Sequence, residues 1–229
     1  MDKKSPDSVL SLFLASSVHD MKNSVSMLTG SLEQLLSELT PESFAAYPQL
    51  THMLFEVKRV NGNLTQLLTL YKVGQEMYPF DPQACSVTQL AQELESQNRA
   101  LLDSRGITLY VDYPQDTIWY FDEDLISGIV NHAINNAIRY TEDKIRLTFA
   151  VCGDSLQISV EDNGEGYPGA MIANQETVGG VNFRTGSTGL GLYFSREVAK
   201  MHKHQGREGS VRLENGGALG GGCFILQLP

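Results

Sequence analysis

Only three cysteines occur in 229 residues, Cys85, Cys152 and Cys223. Odd in number and far apart, they exclude a disulfide framework and a cysteine-based zinc site, and all are expected to be small buried residues. Long apolar runs are also lacking. No stretch reaches the roughly 18 residues of a membrane helix, and Met1-Asp2-Lys3-Lys4-Ser5-Pro6 leads into no apolar core of signal-peptide length. The expectation is a cytoplasmic chain with no membrane span. Cations are in deficit, with 17 Lys and Arg against 27 Asp and Glu. The resulting net charge of -10 excludes bulk electrostatic binding to nucleic acid or to an anionic membrane. Disorder is excluded too, because 41% hydrophobic residues supply a core and only 19% are charged.

What is present divides into two patterns. Apolar residues at Val18, Met21, Val25, Leu28, Leu32, Leu35 and Leu39 alternate three and four apart, the heptad seam of a long helix that Leu10, Phe13 and Leu14 extend upstream. Thr40-Pro41 and Pro48 punctuate the chain, and a second seam follows at Leu50, Met53, Val57, Val60, Leu64, Leu67 and Tyr71, with Gly74 as the expected C-terminal cap. Two antiparallel helices with one seam each cannot bury both seams alone. A second copy closes them into a four-helix bundle, so a homodimer is expected. After Tyr78-Pro79-Phe80-Asp81-Pro82 the pattern changes to alternating helices and strands. The fold class is therefore α+β: a helical hairpin over 1–78, a linker over 79–83, and an α/β sandwich with a mixed sheet over 84–229. Within the sandwich, Asp122 is placed as the cap of a helix running to Tyr140. Strands are expected over 144–151 and 155–161, a lid-like loop over 167–187, and a helix from Thr188 to His202.

Chemistry-bearing residues fall into four blocks. In the first helix, Ser16-Ser17-Val18-His19-Asp20-Met21-Lys22-Asn23 sets an imidazole beside a carboxylate next to the seam, so His19 faces outward and is reachable. Asn136-Ala137-Ile138-Arg139-Tyr140-Thr141 ends the third-quarter helix, and two glycine-rich turns follow, Asp162-Asn163-Gly164-Glu165-Gly166 and Thr188-Gly189-Leu190-Gly191-Leu192. Such turns let backbone approach a ligand, and amides at a helix N-terminus receive phosphate. In this order and spacing the blocks resemble the sensor histidine kinases of two-component systems, whose nucleotide domain shares its fold with gyrase-type ATPases.

The resemblance implies a protein-histidine kinase that uses ATP and Mg2+. His19 is then the phosphoacceptor, Asp20 orients its ring and takes its proton, and Asn23 is suited to hold a water for dephosphorylating a partner. Asn136 offers a neutral amide oxygen to magnesium. Arg139 can meet a phosphate oxygen and Tyr140 offers a flat face to the base. Asp162 can accept from an exocyclic amine, which selects adenine; Gly164 and Gly166 permit close approach, and Thr188, Gly189, Leu190 and Gly191 form the second glycine block. The phosphoryl group is expected to pass to an Asp of a response-regulator receiver domain. The signal is expected from a separate sensor protein or from chain outside this sequence. The resemblance has departures: His132 replaces an Asn one turn before Asn136, Ser187 stands where Gly often begins the second block, Phe183-Arg184 is the nearest match to the usual lid motif, and Ser24 replaces a kinking Pro. Competing readings are a phosphotransfer adaptor with a scaffold-only nucleotide domain, and a serine kinase, which would need no His-bearing hairpin.

Overall fold

The computed structural model describes residues 6–40, 44–173 and 189–229, with side chains from Ala15 onward. The chain divides into two compact units, Met1–Pro79 and Phe80–Pro229. Among the described residues, no helix is long and apolar enough to cross a membrane.

The first unit is two helices, α1 (Pro6–Ser37) and α2 (Tyr47–Gly74). They run antiparallel: Ser26 Oγ donates to Asn61 Oδ1 at 3.4 Å, while seven residues further along α1 Glu33 meets Lys58, which lies earlier in α2, at 2.7 Å. Ser24 keeps the backbone N–H that a proline would lack, and its hydroxyl donates to the Asp20 carbonyl at 3.0 Å. The helix consequently runs unbroken past His19.

Each seam splits in two. Val18, Val25, Leu32 and Leu39 are partly covered, but Met21, Leu28 and Leu35 are 49%, 56% and 42% exposed. In α2, Met53, Val60 and Leu67 are 52%, 42% and 43% exposed. Both triplets repeat every seven residues and leave an uncovered apolar stripe along each helix. One expectation at the end of α2 fails. Gly74 is still helical, and the left-handed residue is Glu76 (φ 56°). The Glu76 and Met77 amides donate to the carbonyls of Val73 and Lys72 at 3.0 and 2.8 Å, a Schellman closure, so the hydrogen-bond geometry rather than the nearest glycine sets the stop.

The second unit begins with β1 (Gln83–Ser86), α3 (Val87–Ser104), β2 (Thr108–Asp112), β3 (Ile118–Phe121) and α4 (Glu123–Tyr140). It continues with β4 (Lys144–Cys152), β5 (Ser155–Asp162), the short α5 (Gly169–Ala173) and α6 (Leu190–Met201), and ends with β6 (Lys203–His204), β7 (Arg207–Glu208), β8 (Ser210–Asn215) and β9 (Gly222–Leu228). The main sheet is mixed, in the order β2-β4-β5-β9-β8; β2 and β4 are parallel and the other pairs antiparallel. Along β4 the buried residues are Ile145, Leu147 and Phe149, a period of two that turns one face to the helices. α3 packs on β2, α4 on β5 and α6 on β8. From α4, Ile126, Ile129, Val130 and Ile134 are fully buried. Each such side chain contributes about 1.5–3 kcal/mol relative to exposure, which fixes the rotation of α4 and hence which of its residues face the site.

The helix starts follow from local chemistry. Ser86 Oγ accepts from the Gln89 amide at 3.3 Å, and Asp122 Oδ1 accepts from the Leu125 amide at 3.1 Å. Asp122 also joins distant parts: its amide donates to His202 Nε2 at 3.1 Å, and its Oδ2 accepts from the Asp81 amide at 3.2 Å. The rings of Phe80 and His202 meet edge to face, with centroids 5.0 Å apart.

Three expectations about this unit change. The expected linker gives way at Gln83 to β1, which pairs antiparallel with β3 in a ribbon separate from the main sheet. Cys152 is exposed, because it ends β4 at the turn where Gly153 takes φ 62°, while Cys85 and Cys223 are buried. The lid-like stretch contains the short helix α5; its residues 174–187, which include Phe183, Arg184 and Ser187, lie outside the described residues together with Thr188.

Candidate functional site

The site is built at the ends of β5, α4 and α6. Asp162 closes β5 and is only 6% exposed. Its Oδ1 accepts from the Gly164 amide at 2.8 Å and from the Gly222 amide at 3.2 Å, while Oδ2 takes no hydrogen bond among the described residues. The carboxylate is thus held by one oxygen with the other available. Glycine is required around it. A Cβ on Gly164 would collide with the Tyr140 carbonyl, one on Gly221 would lie 2.5 Å from the Asp162 carbonyl, and one on Gly222 would lie 2.9 Å from Asp162 Oδ2. Gly166 takes φ 81° and abuts Asn215. Tyr167 packs beside Gly222, and burial followed by the Asp162 charge raises its phenol above the ordinary tyrosine value. Burial, then Glu161 and Glu214, pushes the Cys223 thiol up to about 12, so it is an inert wall.

On α4, Asn136 lies one turn after His132, and its Nδ2 stands 3.0 Å from His132 Nε2. Among the described residues the Asn136 carbonyl oxygen takes no hydrogen bond. Burial pushes the His132 pKa down to about 4, so the ring is neutral near pH 7. Gly189 (φ 65°) caps α6, and Leu190 and Gly191 form its first turn. A Cβ on Gly191 would run into the His132 ring, so the second glycine turn rests on α4 with nothing between them. Arg139 and Tyr140 are exposed at the end of α4, with the guanidinium carbon 5.3 Å from the tyrosine ring centroid. Cation and ring therefore form one platform facing solvent. No group of three or more His, Cys, Asp or Glu side chains among the described residues could hold a metal by itself. The amide oxygen of Asn136 is a donor whose chemistry would suit a magnesium ion carried in on phosphates.

In the first unit, the His19 side chain is 61% exposed and that of Asp20 80% exposed. Two groups approach the same ring nitrogen: Asp20 Oδ1 lies 3.9 Å from Nδ1, and Asn23 Nδ2 lies 3.3 Å from it. His19, Asp20 and Asn23 thus form one cluster on α1, with Nε2 outside these contacts.

Other residues hold the site without having been singled out for it. Asn163 Oδ1 accepts from the Thr141 hydroxyl at 2.7 Å and from the amides of Asp143 and Lys144 at 3.2 and 2.9 Å, and its Nδ2 donates to Asp143 at 2.8 Å. This pins the first glycine turn to the end of α4. Asn215 clasps Tyr167 from both sides, accepting from its amide at 2.7 Å and donating to its carbonyl at 2.9 Å. Asn163 carried a signal, since it sits inside the Asp-Asn-Gly string; Asn215 had none.

Known proteins are similar to this chain in sequence and in fold. Residues 121–229 match the model of the histidine kinase-, DNA gyrase B-, and HSP90-like ATPases. Sensor protein SrrB of Staphylococcus aureus is 24% identical over 226 residues, which is 95% of this chain and 37% of that protein, so the chain spans little more than a third of its curated relatives. Among solved structures, the histidine kinase AdeS of Acinetobacter baumannii covers 92% of this chain and 96% of its own, with TM-score 0.59 at 20% identity. Full-length ShkA in complex with AMPPNP gives TM-score 0.63 at 19% identity over 94% of this chain and 45% of its own. The catalytic domain of histidine kinase ThkA gives 0.56 at 22% over 65% and 97%. At these identities the structures establish the fold. Residues 121–229 thus match the model of the histidine kinase-, gyrase B- and HSP90-like ATPases, and over most of its length the chain is similar in sequence to a sensor protein and in fold to solved histidine kinases.

Proposed function

We propose that this chain is an ATP-dependent protein-histidine kinase that phosphorylates His19 and passes the phosphoryl group to an Asp of a response-regulator receiver domain. The observation that carries the reading is Asp162: buried, anchored through Oδ1 by two amides and open at Oδ2, among glycines that admit no side chain. That arrangement presents an acceptor to the exocyclic amine of adenine. A fixed carboxylate of this kind serves a bound nucleotide and would be superfluous in a scaffold. Arg139 meets phosphate oxygens, and the amides after Gly189 receive the same charge at the start of α6. Magnesium, bound through Asn136 Oδ1, would supply charge neutralisation on the phosphates.

The phosphoacceptor chemistry follows from the ring. Nε2 attacks the γ-phosphorus, an N–P bond forms as the bond to the β-phosphate oxygen breaks, and ADP leaves with that electron pair. Attack requires a bare Nε2 and therefore a proton on Nδ1, which Asp20 accepts as positive charge develops. Asn23 Nδ2, which can only donate, competes for the opposite tautomer, so Asp20 must close from 3.9 Å for the forward reaction. Asn23 is then released to hold a water when a phosphorylated receiver docks. The exposed stripes on α1 and α2 are covered by a second copy, giving a homodimeric four-helix bundle in residues 1–78. Incubation with γ-labelled ATP tests the reading: label that is acid-labile, alkali-stable and absent from His19→Gln is expected, and acid-stable label would place the phosphate on a hydroxyl residue instead.

A further inference from the structure

His132 takes no part in the chemistry just described, yet two elements of the nucleotide site meet on its ring. From α4, Asn136 Nδ2 approaches Nε2 at 3.0 Å. An amide nitrogen can only donate, so this nitrogen of the ring carries the lone pair and the ring proton sits on Nδ1. From α6, the backbone of Gly191 lies so close that a Cβ would overlap Nε2, Cε1 and Cδ2 of the ring. Gly191 itself is fixed, being buried and with its carbonyl accepting from Ser195 Oγ at 2.8 Å. The imidazole is therefore wedged between two helices with one defined edge toward Asn136.

This matters because the two ends of an asparagine amide are nearly identical in shape and opposite in chemistry. Only the oxygen end can face a cation, and a half-turn about the last bond presents the NH2 group instead. An acceptor fixed on one side of the amide decides between the two. We propose that His132 is a positioning residue: wedged under Gly191, its bare Nε2 holds Asn136 by Nδ2 and so presents Oδ1 to the magnesium ion of the bound nucleotide. The proposal rests on the reading of Asn136 as the magnesium ligand. A proton on Nε2 would reverse the amide and turn a donor toward the cation. His132 thus substitutes for a metal ligand by selecting the orientation of one.

Two measurements on the full-length chain test it. Nitrogen-15 correlation spectra of the imidazoles, with His132 assigned by its disappearance in a folded His132→Phe or His132→Gln variant, should give the Nδ1–H tautomer for this ring; an Nε2–H tautomer overturns the proposal. Calorimetry with a non-hydrolysable ATP analogue, in magnesium and in EDTA, gives the second. His132→Phe keeps a ring beneath Gly191 but removes the acceptor, and should lose about tenfold of the affinity that magnesium adds while staying within about twofold of wild type in EDTA. Asn136→Ala should lose the same increment. If Asn136→Ala keeps the full magnesium increment, the ligand reading fails and the proposal falls with it. If Asn136→Ala loses the increment and His132→Phe keeps it, the ligand reading stands and the positioning role is overturned.

Discussion

A carboxylate with one oxygen tied to two backbone amides behaves differently on substitution from a free one. In Asp162→Asn the remaining carbonyl can still accept from Gly164 and Gly222, so the fold persists, but an NH2 group then stands where Oδ2 stood. Donor now faces donor. ATP affinity is expected to fall roughly ten- to a hundredfold, the loss of a charge-assisted hydrogen bond, and the preference for adenine over a base with a carbonyl at that position should narrow. Calorimetry with ATP and with ITP measures both. At His19, Asn23→Ala should autophosphorylate nearly as wild type yet fail to shorten the lifetime of a phosphorylated receiver, whereas Asp20→Asn should bind ATP normally and lose autophosphorylation; equal receiver-phosphate lifetimes with and without the protein would remove Asn23 from the reaction. Residues proposed to act on ligand stood out in the sequence, because their chemistry is carried by the side chain alone. Supporting partners were not. Asn215 reaches Tyr167 across 48 residues, and the contact of Gly191 with His132 joins two helices that no local pattern relates.

Elements were legible where periodicity or a cap marked them. α4 begins after Asp122 as its carboxylate predicts, and β4 and β5 alternate or bury as sheet strands should. The β1–β3 ribbon was not, since strands of four residues with mostly exposed faces carry too short a pattern to show their partner. The node at the start of α4 was equally hidden. There His202 Nδ1 pairs with the Val198 carbonyl at 2.9 Å and Nε2 with the Asp122 amide, which fixes a neutral ring among the carboxylate of Asp122, the backbone of Asp81 and the ring of Phe80. Burial lowers the His202 pKa, opposed by the bond to Val198 and the charge of Asp122. The unfolded chain then binds the proton more readily than the folded one. This contribution is complete above the ordinary histidine value of about 6.5 and is lost as pH falls from there through the lowered folded value. Thermal unfolding followed by the fluorescence of Trp119, the one tryptophan, should show a lower midpoint at about pH 5.5 than at about pH 7.5, with a smaller difference in His202→Gln. A midpoint that rises on acidification would contradict the assignment.

The molecule as a whole is divided in what holds it together. The second unit buries its core within one chain, but the helical unit leaves Met21, Leu28, Leu35, Met53, Val60 and Leu67 uncovered. Replacing Leu28 and Val60 with Glu should give a monomer in sedimentation at micromolar concentration while ATP affinity stays within about twofold of wild type. A wild-type chain that sediments as a monomer would defeat the dimer reading. If the stripes are closed by a second chain, the order of the helix that carries His19 ceases to be a property of one molecule and obeys mass action. Its melting temperature then climbs with protein concentration, while that of the Trp119-reporting unit does not. Dilution would quench the kinase before it emptied the nucleotide site, making the number of copies in a cell a control on signalling in its own right.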